Sequence, residues 1–308
     1  MRNRLIATLR SSYSRWVLYW SRSGPPIPWK FVAFVILGST LLTPLVYQLP
    51  LLGYDWFRLF YAGFLDQYPP WMDPLLAPFR LLPPRWSLAL VSSLSLVSVA
   101  AITFRQSRWG KLDGLFAALL ALLSPPVWYL LWDGQIDGLV LLGLLFLPWS
   151  IPLVLLRPQI IGWVLITRKR WAFWMLVWLA ASFLIWGQWI SRAYALSAGS
   201  VAHPTAMGWN TLGWPILLVG LGMIFASKGD PWRILAGAFL ASPYVQPYHM
   251  TMLLPALGRV RGWRRILLWL GAWVVGAVPG FLGITKYLAL GFPIMVWLFL
   301  GEENREAF

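Results

Sequence analysis

Apolar tracts follow one another along the chain from residue 31 to residue 300. Two of the longest read FVAFVILGSTLLTPLVYQLP at 31–50 and WSLALVSSLSLVSVAAITF at 86–104. Each approaches the roughly 20 apolar residues that a helix needs to cross the hydrocarbon core of a bilayer. Hydrophobic residues make up 59% of the 308 residues and charged residues only 11%, which is typical of multi-pass membrane proteins. The sequence therefore predicts an all-α, polytopic transmembrane helical bundle.

Proline and glycine interrupt several of these tracts, which indicates bends that line a cavity rather than straight helices that face lipid. Together with the length of each tract, this pattern predicts about ten membrane segments. The segments lie at 31–50, 86–104, 112–131, 138–148, 151–166, 171–190, 212–227, 266–284 and 287–300, with a broken pair at 232–242 and 247–257.

Most of the positive charge lies on one set of the connections between the tracts. The chain carries 25 Lys and Arg against 10 Asp and Glu, a net charge of +15. Placing alternate connections in the cytoplasm puts 19 of the 25 basic residues there, which is the bias of the positive-inside rule. The bias predicts a multi-pass protein of the plasma or inner membrane with both termini cytoplasmic. It accounts for the charge without nucleic acid as a partner.

Both ends of the chain are predicted to lie outside a single transmembrane domain at 31–300. Residues 301–308 form a cytoplasmic tail. Residues 1–30 predict an amphipathic helix in contact with the lipids of the cytoplasmic leaflet, and a disordered basic segment is the alternative. The apolar residues at helical spacing, with Arg on the other faces, are Leu5, Leu9, Tyr13, Trp16 and Trp20.

The longest connection, 51–85, faces outward by the charge bias. Its six prolines exclude a long regular helix and predict short helices on the membrane surface. Three acids lie in it, and WDGQID at 132–137 adds two more, so we expect an outward cleft with these polar groups on its rim. A carboxylate beside hydrocarbon can act as a general base because desolvation raises its pKa. Each acid can equally be a solvated loop residue or a helix cap. The five are Asp55, Asp66, Asp73, Asp133 and Asp137.

Two further stretches place polar groups at membrane level. Arg157, in LLRPQIIGW, is apolar on both sides and needs an anionic partner, either an acid of the chain or a phosphate. In LASPYVQPYHMTMLL, a helix is predicted to break at Ser242-Pro243 and to resume near Tyr248. Irregular backbone at this depth normally lines a cavity. The break exposes the side chains of Tyr244, Gln246, Tyr248 and His249 to that cavity, although His249 can equally be a hydrogen-bonded structural residue.

The order of these motifs resembles the polyprenyl-phosphate-sugar-dependent glycosyltransferases of the GT-C superfamily, closest to the family-87 mannosyltransferases of bacterial envelopes. DWFRLFY at 55–61 is similar to the family's Asp-Phe-x-x-x-Tyr, and YPPWMDPLLAPFRLLPP at 68–84 to its proline-rich loop. Three later stretches are also similar to the family pattern: SPPVWYLLWDGQID at 124–137, RPQ at 157–159 and SPYVQPYH at 242–249.

The resemblance implies a reaction and a set of roles. A sugar, with mannose expected, would pass from a polyprenyl-phosphate donor to a lipid or envelope glycan acceptor on the outer face. Asp55 would be the catalytic base, and Arg58 and Arg157 would meet the lipid phosphate. The remaining substrate-binding positions would be Tyr61, Gln135, Asp137, Gln159, Tyr244, Gln246, Tyr248 and His249.

Neither a metal nor a cofactor is expected. The chain has no Cys and two His, which excludes thiolate sites and argues against a metal cage. The family's usual Asn and Lys are replaced by Asp137 and Arg157, and the loop before YPP is short. A non-catalytic transmembrane subunit of a larger membrane complex is therefore one alternative. A lipid or sugar-lipid transporter is another, although the pseudo-symmetric halves typical of transporters are not visible in the sequence.

Overall fold

The computed structural model describes residues 29–62, 68–107, 109–193, 206–277 and 284–306. Within these ranges every regular element is a helix and there is no strand, which confirms the predicted all-α class. The predicted amphipathic segment at 1–30 falls almost entirely outside the described residues, and Asp66 also lies outside them.

The helices are mostly short, and many begin at a proline. Proline is well suited to the first helical position because its missing N–H would have no partner there in any case. In chain order the helices are Trp29–Tyr47, Trp56–Tyr61 (π), Met72–Leu76, Ala77–Leu81 (3-10), Pro84–Gln106, Lys111–Leu122, Pro125–Asp133, Asp137–Leu144, Ile151–Val154, Pro158–Leu165, Lys169–Trp186, Trp209–Leu212, Trp214–Phe225, Pro231–Ala241, Pro247–Leu253 (3-10), Ala256–Arg259, Gly262–Ala277, Ile284–Ala289 and Gly291–Glu306.

The predicted number of about ten membrane segments is wrong for the described residues. One helix, Pro84–Gln106, is long and apolar enough to cross a bilayer, and the number rises to two if Lys111–Leu122 and Pro125–Asp133, bent by 54°, form one broken span. Such a helix also occurs in the cores of soluble proteins, so its length alone does not place the chain in a membrane.

The predicted segment at 151–166 illustrates why the count fails. It divides into Ile151–Val154 and Pro158–Leu165, and Arg157 between them has a non-helical backbone with φ −127° and ψ 64°. A residue before proline is pushed out of the helical region by its clash with the proline ring. An eight-residue helix is only about 12 Å long, far shorter than the hydrocarbon core.

Helix Pro84–Gln106 is the central element of the described fold, and at 23 residues it is about 34 Å long. Helices Trp29–Tyr47, Lys111–Leu122 and Asp137–Leu144 pack against it. Its buried face is rich in small polar residues, several of which donate their hydroxyls to the carbonyl one turn back. These buried residues are Ser87, Ser92, Ser93, Ser95, Ser98 and Thr103.

The two ends of this helix lie among different groups. At its start, the Gly53 N–H donates to the carbonyl of Trp132 at 2.8 Å, which joins the loop 51–85 to the WDGQID turn. At its far end, Arg265 forms two hydrogen bonds to Asp113, at 2.8 and 2.7 Å, and Ser107 donates to the same carboxylate. We call these the Asp55 end and the Arg265 end of the molecule.

The predicted outer loop 51–85 contains the three short helices Trp56–Tyr61, Met72–Leu76 and Ala77–Leu81. Trp71, just before the second of them, is fully buried and donates its indole N–H to the carbonyl of Pro152 at 2.8 Å. The loop is therefore a packed part of the fold at the Asp55 end.

Candidate functional site

Two glycines bring Asp55 to the WDGQID turn. Gly134 ends helix Pro125–Asp133 in the left-handed conformation, with φ 71°, which glycine adopts without the strain that a Cβ would cause. A methyl group added there would lie 2.6 Å from the Trp56 side chain and 3.2 Å from the Gly53 backbone. This close approach places Asp55, directly before helix Trp56–Tyr61, beside Gln135.

A buried ion pair forms the centre of the site. Arg157 donates from Nε to Asp137 Oδ1 at 3.2 Å and from Nη2 to Asp137 Oδ2 at 3.0 Å. Asp137 is completely buried and Arg157 is 5% exposed. A cation at this depth requires an anionic partner, and here the partner is an acid of the same chain. The anionic partner predicted for Arg157 is therefore Asp137.

Gln135 connects this pair to Asp55. Its side-chain oxygen accepts a hydrogen bond from Arg157 Nη2 at 2.9 Å, and its side-chain nitrogen donates to Asp55 Oδ2. Gln135 is 1% exposed, whereas Asp55 is partly exposed. A continuous chain of hydrogen bonds thus runs from the buried Asp137 to the partly exposed Asp55. We call its four residues the Asp55 relay: Asp137, Arg157, Gln135 and Asp55.

The backbone of the broken segment defines the tautomer of His249. The predicted break after helix Pro231–Ala241 is confirmed, and a 3-10 helix follows at Pro247–Leu253. The Gln246 backbone N–H donates to His249 Nδ1 at 2.8 Å, so the ring proton of a neutral His249 is on Nε2. That nitrogen is 3.8 Å from Asp137 Oδ1 and has no hydrogen-bond partner among the described residues.

Three tyrosines lie around the relay. The Arg157 guanidinium lies 5.4 Å from the centre of the Tyr68 ring, and the Tyr248 ring packs against His249 at 4.5 Å. Tyr244 accepts a hydrogen bond from the side chain of Gln246 at 2.6 Å. Burial raises the pKa of Tyr68 to about 12, against the opposing effect of the Arg157 charge. Tyr68 is therefore a neutral phenol at physiological pH.

The depth of the site follows from its contact with the central helix. A methyl group added at Gly138 would lie 2.3 Å from the side chain of Ser95. Ser95 is eleven residues from the start of helix Pro84–Gln106, which is about 16 Å along a helix about 34 Å long. Asp137, the neighbour of Gly138, thus lies at about mid-height. The interpretation that these polar groups lie only on the rim of a cleft is wrong for Asp137, because packing buries it completely.

Several predicted site residues lie away from the relay. Arg58 is exposed and donates to the hydroxyl of the neighbouring Tyr54, and Tyr61 donates its hydroxyl to the carbonyl of Leu82 at 3.0 Å. Gln159 is partly exposed on helix Pro158–Leu165. The structure does gather eight of the predicted positions in and beside the relay: Asp55, Gln135, Asp137, Arg157 and His249, with Gln246, Tyr244 and Tyr248 next to them.

Of two further neighbours of the relay, Tyr68 was not predicted as a site residue, and Asp133 was predicted only as one of the acids on the rim of the cleft. Tyr68 covers the Arg157 guanidinium, and Asp133 lies close enough to Asp55 for their charges to interact. The available signals were the tyrosine at the start of YPP and the acid at the end of helix Pro125–Asp133. Neither signal indicates a contact with residues that lie far away in the sequence.

Among the described residues, no group of three His, Asp or Glu side chains is placed to hold a metal ion. Comparison of the chain with protein-family models, curated proteins and solved structures gave no match. The site must therefore be interpreted from its own geometry.

Proposed function

We propose that this chain is an integral-membrane glycosyltransferase that moves a sugar from a polyprenyl-phosphate donor to a lipid or glycan acceptor. The observation that carries the proposal is the position of Asp55. It is a partly exposed carboxylate held at the surface end of an otherwise buried polar chain. A general base needs this combination of a fixed orientation and access to a substrate hydroxyl.

Exposed apolar side chains on the outward faces of the helices support the proposal that the chain lies in a bilayer. On helix Trp29–Tyr47 a stripe of large apolar side chains at helical spacing is more than half exposed: Phe34, Leu37, Leu41 and Leu45. Helix Lys111–Leu122 carries a second such stripe: Leu112, Leu115 and Leu119. Contiguous apolar surface of this kind is rare on soluble monomers.

The small polar residues on the inward face of the central helix also support a lipid environment. Helix Pro84–Gln106 buries serines and a threonine where a soluble core would place large apolar residues. Small residues on an inward face allow helices to approach closely in lipid, as Ser95 and Gly138 do here. Apolar side chains outside and small polar ones inside are the arrangement that a lipid solvent favours.

The charge distribution supports an orientation. Arg105, Lys111 and Arg261 are exposed near the Arg265 end, and Asp55 and Asp73 lie at the opposite end. By the positive-inside rule, the Arg265 end faces the cytoplasm. Asp55 would then face outward, toward a donor and an acceptor in the outer leaflet.

The proposed reaction is a single displacement at the sugar. The acceptor oxygen attacks the anomeric carbon, and the bond from that carbon to the phosphate oxygen breaks with its electron pair leaving on the polyprenyl phosphate. Asp55 takes the proton of the acceptor hydroxyl. The exposed Arg58, on the same short helix, is available to the departing phosphate, while Arg157 remains bonded to Asp137 and Gln135.

The test is sugar transfer by the purified protein reconstituted in liposomes. The probe is polyprenyl-phosphate mannose with a radiolabelled sugar, offered with extracted envelope lipids as acceptors. Asp55→Asn should lower transfer by roughly 100-fold or more, because the change preserves size and removes the proton acceptor. Asp73→Asn is the matched control, since Asp73 is an exposed acid of the same loop, paired with Arg80. Transfer that persists in Asp55→Asn would contradict the proposal.

A second candidate is a non-catalytic subunit of a membrane complex. It is favoured by the way Arg157 and Asp137 neutralise each other inside the fold, and by large exposed aromatic surfaces such as Trp149, Trp214 and Trp263. A subunit should co-purify with defined partner chains after mild detergent extraction. If the wild type transfers no sugar and carries such partners, this second function replaces the first.

A further inference from the structure

We infer that Gln135 and Arg157 are positioning residues that orient Asp55, and that Arg157 is not a ligand of the substrate. The inference concerns the residue that acts as the base in the proposed function, and to that extent it rests on that function. Its effect on Asp55 can nevertheless be measured in protein that transfers no sugar.

The orientation of the Gln135 amide follows from the chemistry of its neighbour. A guanidinium can only donate hydrogen bonds, so the group that faces Arg157 Nη2 at 2.9 Å must be the amide oxygen. The amide nitrogen must then face the other way, where it donates to Asp55 Oδ2. Arg157 thereby makes Gln135 a donor to Asp55. With the amide reversed, Asp55 would face a carbonyl oxygen, and the two acceptors would repel each other.

Arg157 can hold the amide because its own position is determined on several sides. Asp137 accepts hydrogen bonds from Nε and Nη2, which fixes the plane of the guanidinium, and the Tyr68 ring covers it. Nη2 donates to Asp137 and to Gln135 together. A lysine would retain the charge but lacks the planar fork that makes these bonds in fixed directions.

The relay has a definite consequence for the charge on Asp55. An N–H that donates to a carboxylate stabilises the ionised form, so it lowers the affinity of Asp55 for a proton. The ionised form is the one that can accept a proton from a substrate hydroxyl. The nearby charge of Asp133 acts in the opposite direction because it repels a second negative charge.

Other groups near Asp55 also bear on its titration. Asp133 closes helix Pro125–Asp133, Tyr68 belongs to the outer loop, and Tyr244 and Tyr248 flank the break before Pro247–Leu253. Arg58 lies on the helix that Asp55 precedes, and Arg157 acts through Gln135. Gln135 itself does not titrate, but it donates a hydrogen bond directly to the Asp55 carboxylate. It is therefore the first target for substitution.

The experiment measures the titration of Asp55 itself. Purified full-length protein in detergent is treated with a water-soluble carbodiimide and glycine ethyl ester across a range of pH, and labelling of the Asp55 peptide is followed by mass spectrometry. Gln135→Leu removes the donor at similar volume and should raise the midpoint by about one pH unit. Gln135→Glu keeps an acceptor for Arg157 but places a carboxylate against Asp55, so it should raise the midpoint further.

Two comparisons make the result decisive. Gln48→Leu, at an exposed glutamine near the Asp55 end, should leave the midpoint unchanged. Arg157→Lys should raise it, because the amide is no longer held in one orientation. A variant that fails to fold is recognised by the loss of its cooperative melting transition. Unfolded variants would also not show midpoints that rise in order from the wild type to Gln135→Leu and then to Gln135→Glu. An unchanged midpoint in folded Gln135→Leu and Gln135→Glu would overturn the inference.

The same variants separate this inference from the proposed function. If the midpoint shifts in the expected order but the wild type transfers no labelled mannose, the relay holds and the transferase fails. If transfer occurs but the midpoint does not move, the relay fails and the transferase stands. Where both hold, Gln135→Leu should lower kcat with KM little changed, and it should move the acid limb of the pH profile to higher pH.

Discussion

Removing the charge of Arg157 should destabilise the protein severely, although this residue is not proposed to touch substrate. Arg157→Met keeps much of the side-chain volume and deletes the guanidinium. Asp137, which is completely buried, then loses both hydrogen bonds from its cationic partner. Water cannot hydrate a carboxylate that is buried at this depth without a partner, so the free energy of unfolding should fall.

The expected magnitude follows from the burial of both members. Breaking a buried, well-bonded ion pair by removing one partner costs about 3–5 kcal/mol. Asp137→Leu should cost a similar amount, because it leaves Arg157 as an uncompensated cation. The double variant Arg157→Met with Asp137→Leu removes both charges, so it should be more stable than either single variant. The coupling free energy of this double-mutant cycle should exceed about 2 kcal/mol.

The assay is an unfolding titration in detergent micelles, followed by tryptophan fluorescence for the wild type and the three variants. The pair Arg80–Asp73 is the internal control, because its side chains are 25% and 57% exposed. An exposed pair contributes about 0–1 kcal/mol, so Asp73→Asn should remain close to the wild type. Single variants at Arg157 and Asp137 that are also within about 1 kcal/mol would show that the two charges are not buried together.

Three further predictions concern packing, orientation and titration. Gly138→Ala should destabilise the protein in thermal melts, since the added methyl would lie 2.3 Å from a neighbouring side chain, whereas Gly162→Ala, with no atom within 4 Å, should be neutral or stabilising. In a chain without natural cysteines, Cys at Asp73 should react with an impermeant maleimide outside intact cells, and Cys at Lys111 only after lysis. Tyr68→Phe should remove a phenol that titrates near pH 12 in ultraviolet difference spectra, because burial raises its pKa to about 12. The stability linked to Tyr68 is fully present below pH 10 and is lost as the pH rises through about 12.

One break in the helices could be predicted from local chemistry alone. Ser242-Pro243 ends a helix because proline has no N–H to donate and its ring clashes with the preceding turn. The same effect divides the chain at Arg157-Pro158, where the sequence analysis predicted one continuous segment at 151–166. The number of membrane segments could not be predicted in this way, because average hydropathy over a tract does not distinguish one long helix from two short ones.

The partners of the polar residues depended on distant parts of the chain. The free-energy cost of burying a charged side chain indicated that Arg157 needs an anionic partner. It left open whether that partner is an acid of the chain or a phosphate. The structure shows that the partner is Asp137, twenty residues earlier, which packs beside the break at Arg157. Likewise, the contact between Asp55 and Gln135 spans eighty residues and depends on the close approach at Gly134.

By itself, the sequence determined the helical class, the break at Ser242-Pro243 and the small set of polar residues that need partners in apolar surroundings. These are properties of local backbone sterics and of the cost of burying charge, so they can be read along the chain. Only the tertiary structure decided that Arg157 is bound by Asp137, and that Gln135 faces Asp55 with its amide nitrogen. Directional hydrogen bonds between distant residues depend on how the helices pack, and no local pattern encodes that packing.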